Sequence, residues 1–201
     1  MTSLRHTVRP DEVASSRDAY LDAARDCILD VGWRRTTLTE VARRAGVSRM
    51  TIYRTWSDMS QLLGDLMTRE WSAVVAEAAD VPDPAGSVER IVGTGVRAVR
   101  ALRDNELFVR IVELDAELLL PYLLSRRGRS QQAILDLLAD QLRQGQLIGQ
   151  VRDGDPDVLA RALLLATHGF VLSAHTMVDE HASEEQLDDE LRQVLARAIQ
   201  R

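Results

Sequence analysis

The chain has 201 residues, enough for one or two small domains with a buried core, and its 45% apolar content is ordinary for a globular protein. The formal net charge is −6, the 25 basic residues are all arginine, and Cys27 is the single cysteine, which excludes an internal disulfide and fits a reduced cytoplasm. The first 15 residues lack the apolar stretch of a signal peptide, and no apolar run approaches the ~20 residues of a membrane helix.

Helix formers dominate and no alternating strand pattern with hairpin turns is present, so the expected class is all-α. The exclusive use of arginine reads either as selection for bidentate contacts or as the codon usage of a GC-rich genome. Residues 1–14, with Pro10, read as a loose arm; Arg5 and Arg9 either reach a minor groove or have no role. Ser15 or Ser16 caps a first helix whose buried stripe is Tyr20, Ala23, Ala24, Cys27, Ile28 and Val31. Cys27 is then a core residue rather than a nucleophile.

Residues 36–63 carry the most information. Thr37-Leu38-Thr39-Glu40-Val41-Ala42 opens a short helix, Gly46-Val47 supplies a turn, and Ser48 starts a second helix. A helix-turn-helix needs a small residue where the helices cross, a residue free to take positive φ at the turn, and an apolar plug between the helices. Ala42, Gly46 and Ile52 meet those needs. An ordinary helical hairpin shares the pattern, but the charge does not favour it. Between Trp33 and Trp56 lie Arg34, Arg35, Arg43, Arg44, Arg49 and Arg54 against Glu40 alone, six positive charges and one negative, or net +5. A local basic patch on an acidic chain is the footprint of phosphate binding by one surface.

At about 100° per residue, Ile52 and Trp56 point inward and Met50 and Arg54 point outward, flanked by Thr51 and Tyr53, with Arg49 at the rim. Arginine can bind guanine with both arms, and Thr or Met methyls can touch thymine. Tyr53 is placed as a phosphate contact through its hydroxyl. Ser48 serves either as N-cap or as a base contact, and the free amides beside it can hold a phosphate. The candidate DNA contacts are Thr37, Thr39, Arg44, Ser48, Arg49, Met50, Thr51, Tyr53 and Arg54.

A long helix is expected from Asp58 to Ala79, with Leu62, Leu63, Leu66, Met67, Trp71, Val74 and Val75 as its stripe. Residues 81–86 break the chain, and Ser87 caps the next helix, which buries Ile91, Val92, Val96, Val99 and Leu102. Another runs from near Glu106 through Phe108, Ile111, Val112 and Leu114 to Leu119, where Pro121 stops or kinks it. Residues 126–129 read as a polar break before a helix from Ser130 to Gln144 with Ile134, Leu137, Leu138 and Leu142 inward. Gly145, Gly149 and residues 153–156 read as a linker, with Asp155 capping a helix that has Pro156 in its first position.

The segment from Asp157 to about Val178 is apolar nearly all round and must be covered on all sides. Ser183 starts the last helix with a capping box. These two helices read as a dimer interface through Leu164, Val171, Leu187, Leu191, Val194 and Ala198, a four-helix bundle across a two-fold axis; alternatively both close the subunit's own core.

Thr36-Thr37, Ala45-Gly46-Val47-Ser48, Thr51-Ile52-Tyr53 and Trp56, after a helix that ends at Gly32 before Trp33, resemble the TetR family of transcriptional repressors. The specific match covers about 50 residues, and the remainder carries no diagnostic motif. Met59 stands where family members often carry a phosphate-reaching lysine, and Met50 where many have a small residue. The resemblance implies an arm (1–14), a three-helix helix-turn-helix domain (15–57) and a larger helical ligand-binding and dimerisation domain (58–201). It further implies a homodimer on a palindromic double-stranded operator, released by a small molecule. A hydrophobic effector is expected, with candidate walls Trp71, Phe108, Leu118, Tyr122, His168, Phe170 and Met177, each of which could equally be core packing. The ligand would shift the long helix and so the spacing of the two recognition helices. A regulator with no small-molecule effector, controlled by a protein partner or by abundance, shares all of these features.

His168 and His175 lie seven apart and share a helix face, a spacing wrong for a chelating pair, so no metal and no cofactor are expected. No Gly-x-Ser-x-Gly, phosphate loop, His-Glu-x-x-His or cysteine pair is present, and carboxylates fall on predicted helix exteriors, so no catalytic residue is expected.

Overall fold

A computed structural model describes residues 10–201, with side chains from residue 16 onward. The expectations for Arg5 and Arg9 lie outside the described residues. The helices are α1 (Pro10–Val31), α2 (Leu38–Arg44), α3 (Arg49–Thr55), α4 (Met59–Ala79), α5 (Val88–Arg103), α6 (Glu106–Asp115), α7 (Leu120–Leu124), α8 (Arg129–Leu147), α9 (Pro156–Ser173) and α10 (Glu184–Ile199). Among the described residues there is no strand, only an isolated antiparallel bridge between Val151 and Gln200. The all-α expectation holds.

Side-chain caps set most of the helix starts. Thr37, Ser48, Asp58, Ser87, Asn105, Asp155 and Ser183 each accept a backbone N–H of the first turn. Such a cap contributes about 1 kcal/mol. Helix α1 begins at Pro10, five residues before the expected Ser15, because proline at a first turn has no N–H to lose.

Two apolar cores form. The first packs Ala24, Cys27 and Ile28 of α1, Val41 and Ala42 of α2 and Ile52 of α3 against Leu62 and Leu66 of α4 and Leu107 and Ile111 of α6. The three N-terminal helices therefore complete their core with α4 and α6. The second joins Val92 and Val96 of α5, Leu135 and Leu142 of α8, Leu159 and Leu163 of α9, and Leu191, Leu195 and Ile199 of α10.

Several expectations need correction. Val31 and Leu114 are exposed rather than buried. Helix α6 ends at Asp115, before Leu119, because Asp115 turns inward to accept the Trp33 backbone N–H at 2.9 Å. Pro121 opens α7 instead of stopping a helix. In α8, Leu135 is buried and Leu137 exposed. Gly145 lies inside α8 and breaks nothing. His175 is exposed in a 3-10 turn after α9, so it shares no helix face with His168. Carboxylates are not all exterior: Asp115 and Asp188 are buried, and Asp188 is met by Arg100 at 2.5 Å and Arg103 at 2.8 Å, which tie α5 to α10.

The α9 region also departs from the sequence reading. The segment Pro156–Met177 is 22 residues long and apolar enough to cross a membrane by length and composition, contrary to the expectation that no run reaches that length. Only 22% of its apolar window is buried within the protomer. Val158 and Leu165 are 59% and 69% exposed, and with Ala162 and Gly169 they form an outward stripe. Val194 and Ala198 of α10 are exposed too. Leu191, by contrast, is fully buried in the protomer's own core, because it points from α10 back toward α5 and α9.

Gly86 and Gly145 meet backbone to backbone where α8 passes the turn before α5. A Cβ on Gly145 would lie 2.5 Å from the Gly86 carbonyl oxygen and closer still to the Val151 side chain. Overpacking of this kind costs about 1–3 kcal/mol. Gly145→Ala is expected to lower the melting temperature by several degrees in a circular-dichroism thermal scan; an unchanged melt would mean that the contact relaxes freely.

Candidate functional site

The helix-turn-helix is built as the residues require. Gly46 sits at φ +67°, and no atom lies within 4 Å of where its Cβ would be, so the turn needs glycine for its torsion and not for space. Ala42 and Ile52 are buried at the crossing, and Trp56 closes the far end, edge-on to Tyr20 with centroids 6.4 Å apart. Ser48 caps α3: its Oγ accepts the Thr51 N–H at 3.2 Å and lies 2.9 Å from Thr51 Oγ1. Thr37 caps α2, accepting the Glu40 N–H at 3.2 Å.

With Ile52 and Trp56 inward, α3 turns Arg49, Met50, Tyr53 and Arg54 to solvent, with Thr51 half-buried beside them. Met50 is 70% exposed at the outward face of α3, placed to meet whatever docks there. Thr39 is half-buried on α2.

The six arginines divide into two groups. Arg43 pairs with Glu40 at 2.6 Å, Arg44 pairs with Asp30, and Arg34 turns away to Glu117 and to Asp115 at 3.5 Å. Arg35, Arg49 and Arg54 have no carboxylate partner among the described residues. The positive charge left for an outside anion is therefore concentrated on and beside α3, and Arg44 is held back against α1. Cys27 lies beneath this layer, where burial pushes its thiol pKa up and leaves it an inert packing residue.

Between α4, α5, α8 and α9 lies a cavity of about 570 Å³. Trp71 and Phe108 meet edge to face in its wall, centroids 5.7 Å apart, and Tyr122 and His168 also line it. Burial lowers the pKa of His168 and favours the neutral imidazole. Of the other expected wall residues, Leu118 packs against the first core, Phe170 against the second, and Met177 is exposed. Leu164 and Val171, expected at a dimer interface, line the cavity instead, and Leu187 is half-buried. Thr68, Thr94, Gln131 and Gln141, which no sequence pattern singles out, supply polar atoms to the lining, and Arg126, Arg127 and Arg129, which the sequence presents as a polar break, stand in it together. A glycine and a serine amid three arginines, directly before a helix start, were the signal available.

A family model described as bacterial regulatory proteins of the tetR family matches residues 21–66. An uncharacterized HTH-type transcriptional regulator of Mycobacterium bovis is 37% identical over 183 residues, 90% of this chain and 93% of that protein. The chain belongs to the TetR family. It is accordingly a helix-turn-helix transcriptional regulator and not an enzyme. Among solved TetR-like folds, the transcriptional repressor QsdR of R. erythropolis superposes with a TM-score of 0.66 at 17% identity, covering 92% of this chain and 95% of that one. SmeT, the Stenotrophomonas maltophilia efflux-pump repressor, in its triclosan complex gives 0.63 at 23% identity, covering 93% and 92%.

In this TetR-family chain one carboxylate joins the reader to the cavity. Asp65 of α4, with its side chain 11% exposed, accepts the Trp56 indole N–H at 2.6 Å and pairs with Arg17 of α1 and Arg129 of α8. Arg17 also lies over the Trp56 ring, 5.3 Å from its centroid. An acid flanked by Leu62, Leu63 and Leu66, at the edge of an apolar stripe, was legible as anomalous. Burial alone raises the Asp65 pKa, but the Trp56 and Arg129 hydrogen bonds and the Arg17 charge outweigh it and hold it below the ordinary 3.8. A depressed carboxylate pKa stabilises the fold above the unfolded-state value, and that stability is lost as pH falls through the folded value. Asp65→Asn is therefore expected to melt below the wild type at pH 7, with the gap narrowing as pH falls below about 4. A gap that stays constant from pH 7 to pH 3 would show that Asp65's charge contributes nothing.

Proposed function

We propose that this chain is a homodimeric repressor that binds a palindromic operator through α3 and leaves it when a small hydrophobic molecule fills the cavity. The observation that carries this reading is the cavity itself, walled by the same α4 whose first turns pack against the reader. Its volume falls within the roughly 300–1,000 Å³ of small-molecule pockets, and apolar walls with a few polar atoms are the usual composition. The triclosan complex of the fold neighbour SmeT supports an apolar effector. Residues 15–57 form the reader, extended at its start by the first turns of α1, and residues 58–201 hold the ligand and the dimer face. The protein works in the cytoplasm, where the operator is.

The DNA contacts we assign are Arg49, Met50, Thr51, Tyr53 and Arg54 on α3, with Thr37, Thr39 and Ser48 at the helix starts beside it. Arg44 joins them only by leaving Asp30. The dimer face is the stripe Val158, Ala162, Leu165 and Gly169 with Val194 and Ala198, on helices that already pack within the protomer. A two-fold axis through it makes a four-helix bundle and covers the apolar side of α9. Ligand entry then tilts α4 and changes the separation of the two α3 helices, which must match half-sites about 34–36 Å apart or a multiple of that. A coupling of about 1–3 kcal/mol is typical of such linkage.

Fluorescence anisotropy on duplexes selected from the DNA upstream of the gene, against scrambled DNA across a salt series, tests the reading. Specific binding is expected; no binding at low salt would overturn it. On the selected operator, Arg54→Ala is expected to cost about 1–3 kcal/mol and to relax preference at one base position. An equal loss on all sequences would make Arg54 a phosphate contact. Leu165→Glu is expected to yield a folded monomer in sedimentation, whereas a change at Leu191 strikes the protomer core and unfolds it. A dimer that survives Leu165→Glu would move the interface off α9.

A further inference from the structure

The cavity is apolar along its length, but its charged lining is one-sided. Its carboxylate-bearing lining residue is Asp58, already engaged as the α4 cap with the Gln61 N–H at 2.9 Å. Arg126, Arg127 and Arg129 enter the lining together at the start of α8. Arg126 lies over the Tyr122 ring at 5.0 Å, and Arg127 donates to the Gln132 side-chain oxygen at 2.7 Å; neither has a carboxylate partner among the described residues. Arg90, the other arginine in the lining, is held in place by the carbonyls of Ala79, Val81 and Asp83 at 2.7–3.0 Å, at the far end of α4 from Arg129. An apolar cavity with two guanidinium groups, Arg126 and Arg127, that lack a carboxylate partner has the polarity of an amphiphile with a negative head.

Arg129 adds a consequence. Its guanidinium belongs both to the cavity lining and to the Asp65 cluster, where it shares the carboxylate with Trp56 and Arg17. An anion arriving beside Arg126 and Arg127 competes with Asp65 for the same donor. Loss of Arg129 leaves Asp65 to its two partners from the reader, so the head group is sensed at the joint between α4 and Trp56.

We propose that the effector is a long-chain amphiphile with an anionic head, carboxylate or phosphate, whose tail fills the cavity and whose head sits at Arg126 and Arg127 and draws Arg129 off Asp65. This rests on the hydrophobic-effector reading and narrows it to one class. Charge-assisted bonds to arginine are about twice as strong as neutral ones and fit a two-oxygen head.

Calorimetric titration of the full chain with dodecanoate, dodecyl phosphate and dodecanol tests the head group. At least one of the two anions is expected to bind ten-fold or more tighter than dodecanol, and which of them does so identifies the head. Arg126→Ala with Arg127→Ala is expected to remove that preference while leaving dodecanol affinity unchanged; both side chains are exposed, so the fold survives. Dodecanol binding as tightly as both anions would overturn the anionic head and leave the hydrophobic-effector reading standing. No binding of any of the three would overturn this proposal, and a neutral or aromatic ligand that then displaces the protein from its operator would keep the broader reading. For the relay, the Trp56 indole N–H resonance of ¹⁵N-labelled protein is expected to shift when the preferred anion saturates the site. In Arg129→Gln the anion is expected to bind without that shift. A Trp56 resonance that stays still in the wild type under saturation would overturn the competition for Arg129.

Discussion

A carboxylate removed from most of its water must be met by donors, and the way Asp65 is met orders this molecule. Its partners come from α1, from the residue that ends α3, and from the start of α8. Arg17 and Arg129 are largely exposed and are held by this carboxylate, and it satisfies the indole N–H of the buried Trp56. One acidic side chain thus ties the start and the end of the DNA reader to α4, and through Arg129 to the cavity wall. Arg34 with Glu117, and Trp33 with Asp115, provide a second fastening from the turn after α1 to the end of α6. Both fastenings are polar and directional, and they lie over a close-packed apolar core. Such a joint can take up two discrete settings.

Apolar periodicity and capping made most of the architecture legible. Thr37, Ser48, Asp58, Ser87, Asp155 and Ser183 start helices where their hydrogen-bonding chemistry says they should, and Ile52 and Trp56 face inward as their spacing demands. The sequence failed where a residue's role depends on what lies across from it. Leu191 and Leu164 look like seam residues on a helical wheel, yet one is core and the other cavity wall, because a wheel gives a face and not its neighbour. Leu137, expected inward, and Leu135, absent from the expected stripe, lie about 200° apart, and α8 has apolar residues on both sides: the row with Leu135 packs into the second core and the row with Leu137 faces the cavity. The end of α6 was set by a distant backbone N–H on Trp33, which no local pattern encodes.

The arginine count had a similar fate. Six positive charges near the motif were read as one patch, but three of them spend their charge on Glu40, Asp30 and Glu117. What remains for phosphate is fewer groups, better placed. The acids that neutralise Arg34 and Arg44 lie 83 and 14 residues away in sequence, so a count within the motif overstates the field.

Two kinds of glycine end up with different evolutionary freedom. At Gly46 the restriction is torsional and the surrounding space is open, so residues that tolerate a left-handed backbone, asparagine above all, can be sampled there by drift. At Gly145 the backbone is helical and any side chain would be allowed by torsion, but the carbonyl of Gly86 occupies the volume. A saturation library at both positions would separate the two: position 46 returning a short list of polar residues beside glycine, position 145 returning glycine, with alanine at a cost in stability. The turn that defines the DNA reader is thus the more open of the two sites sterically, and the contact between α8 and the loop before α5 the less tolerant of a side chain.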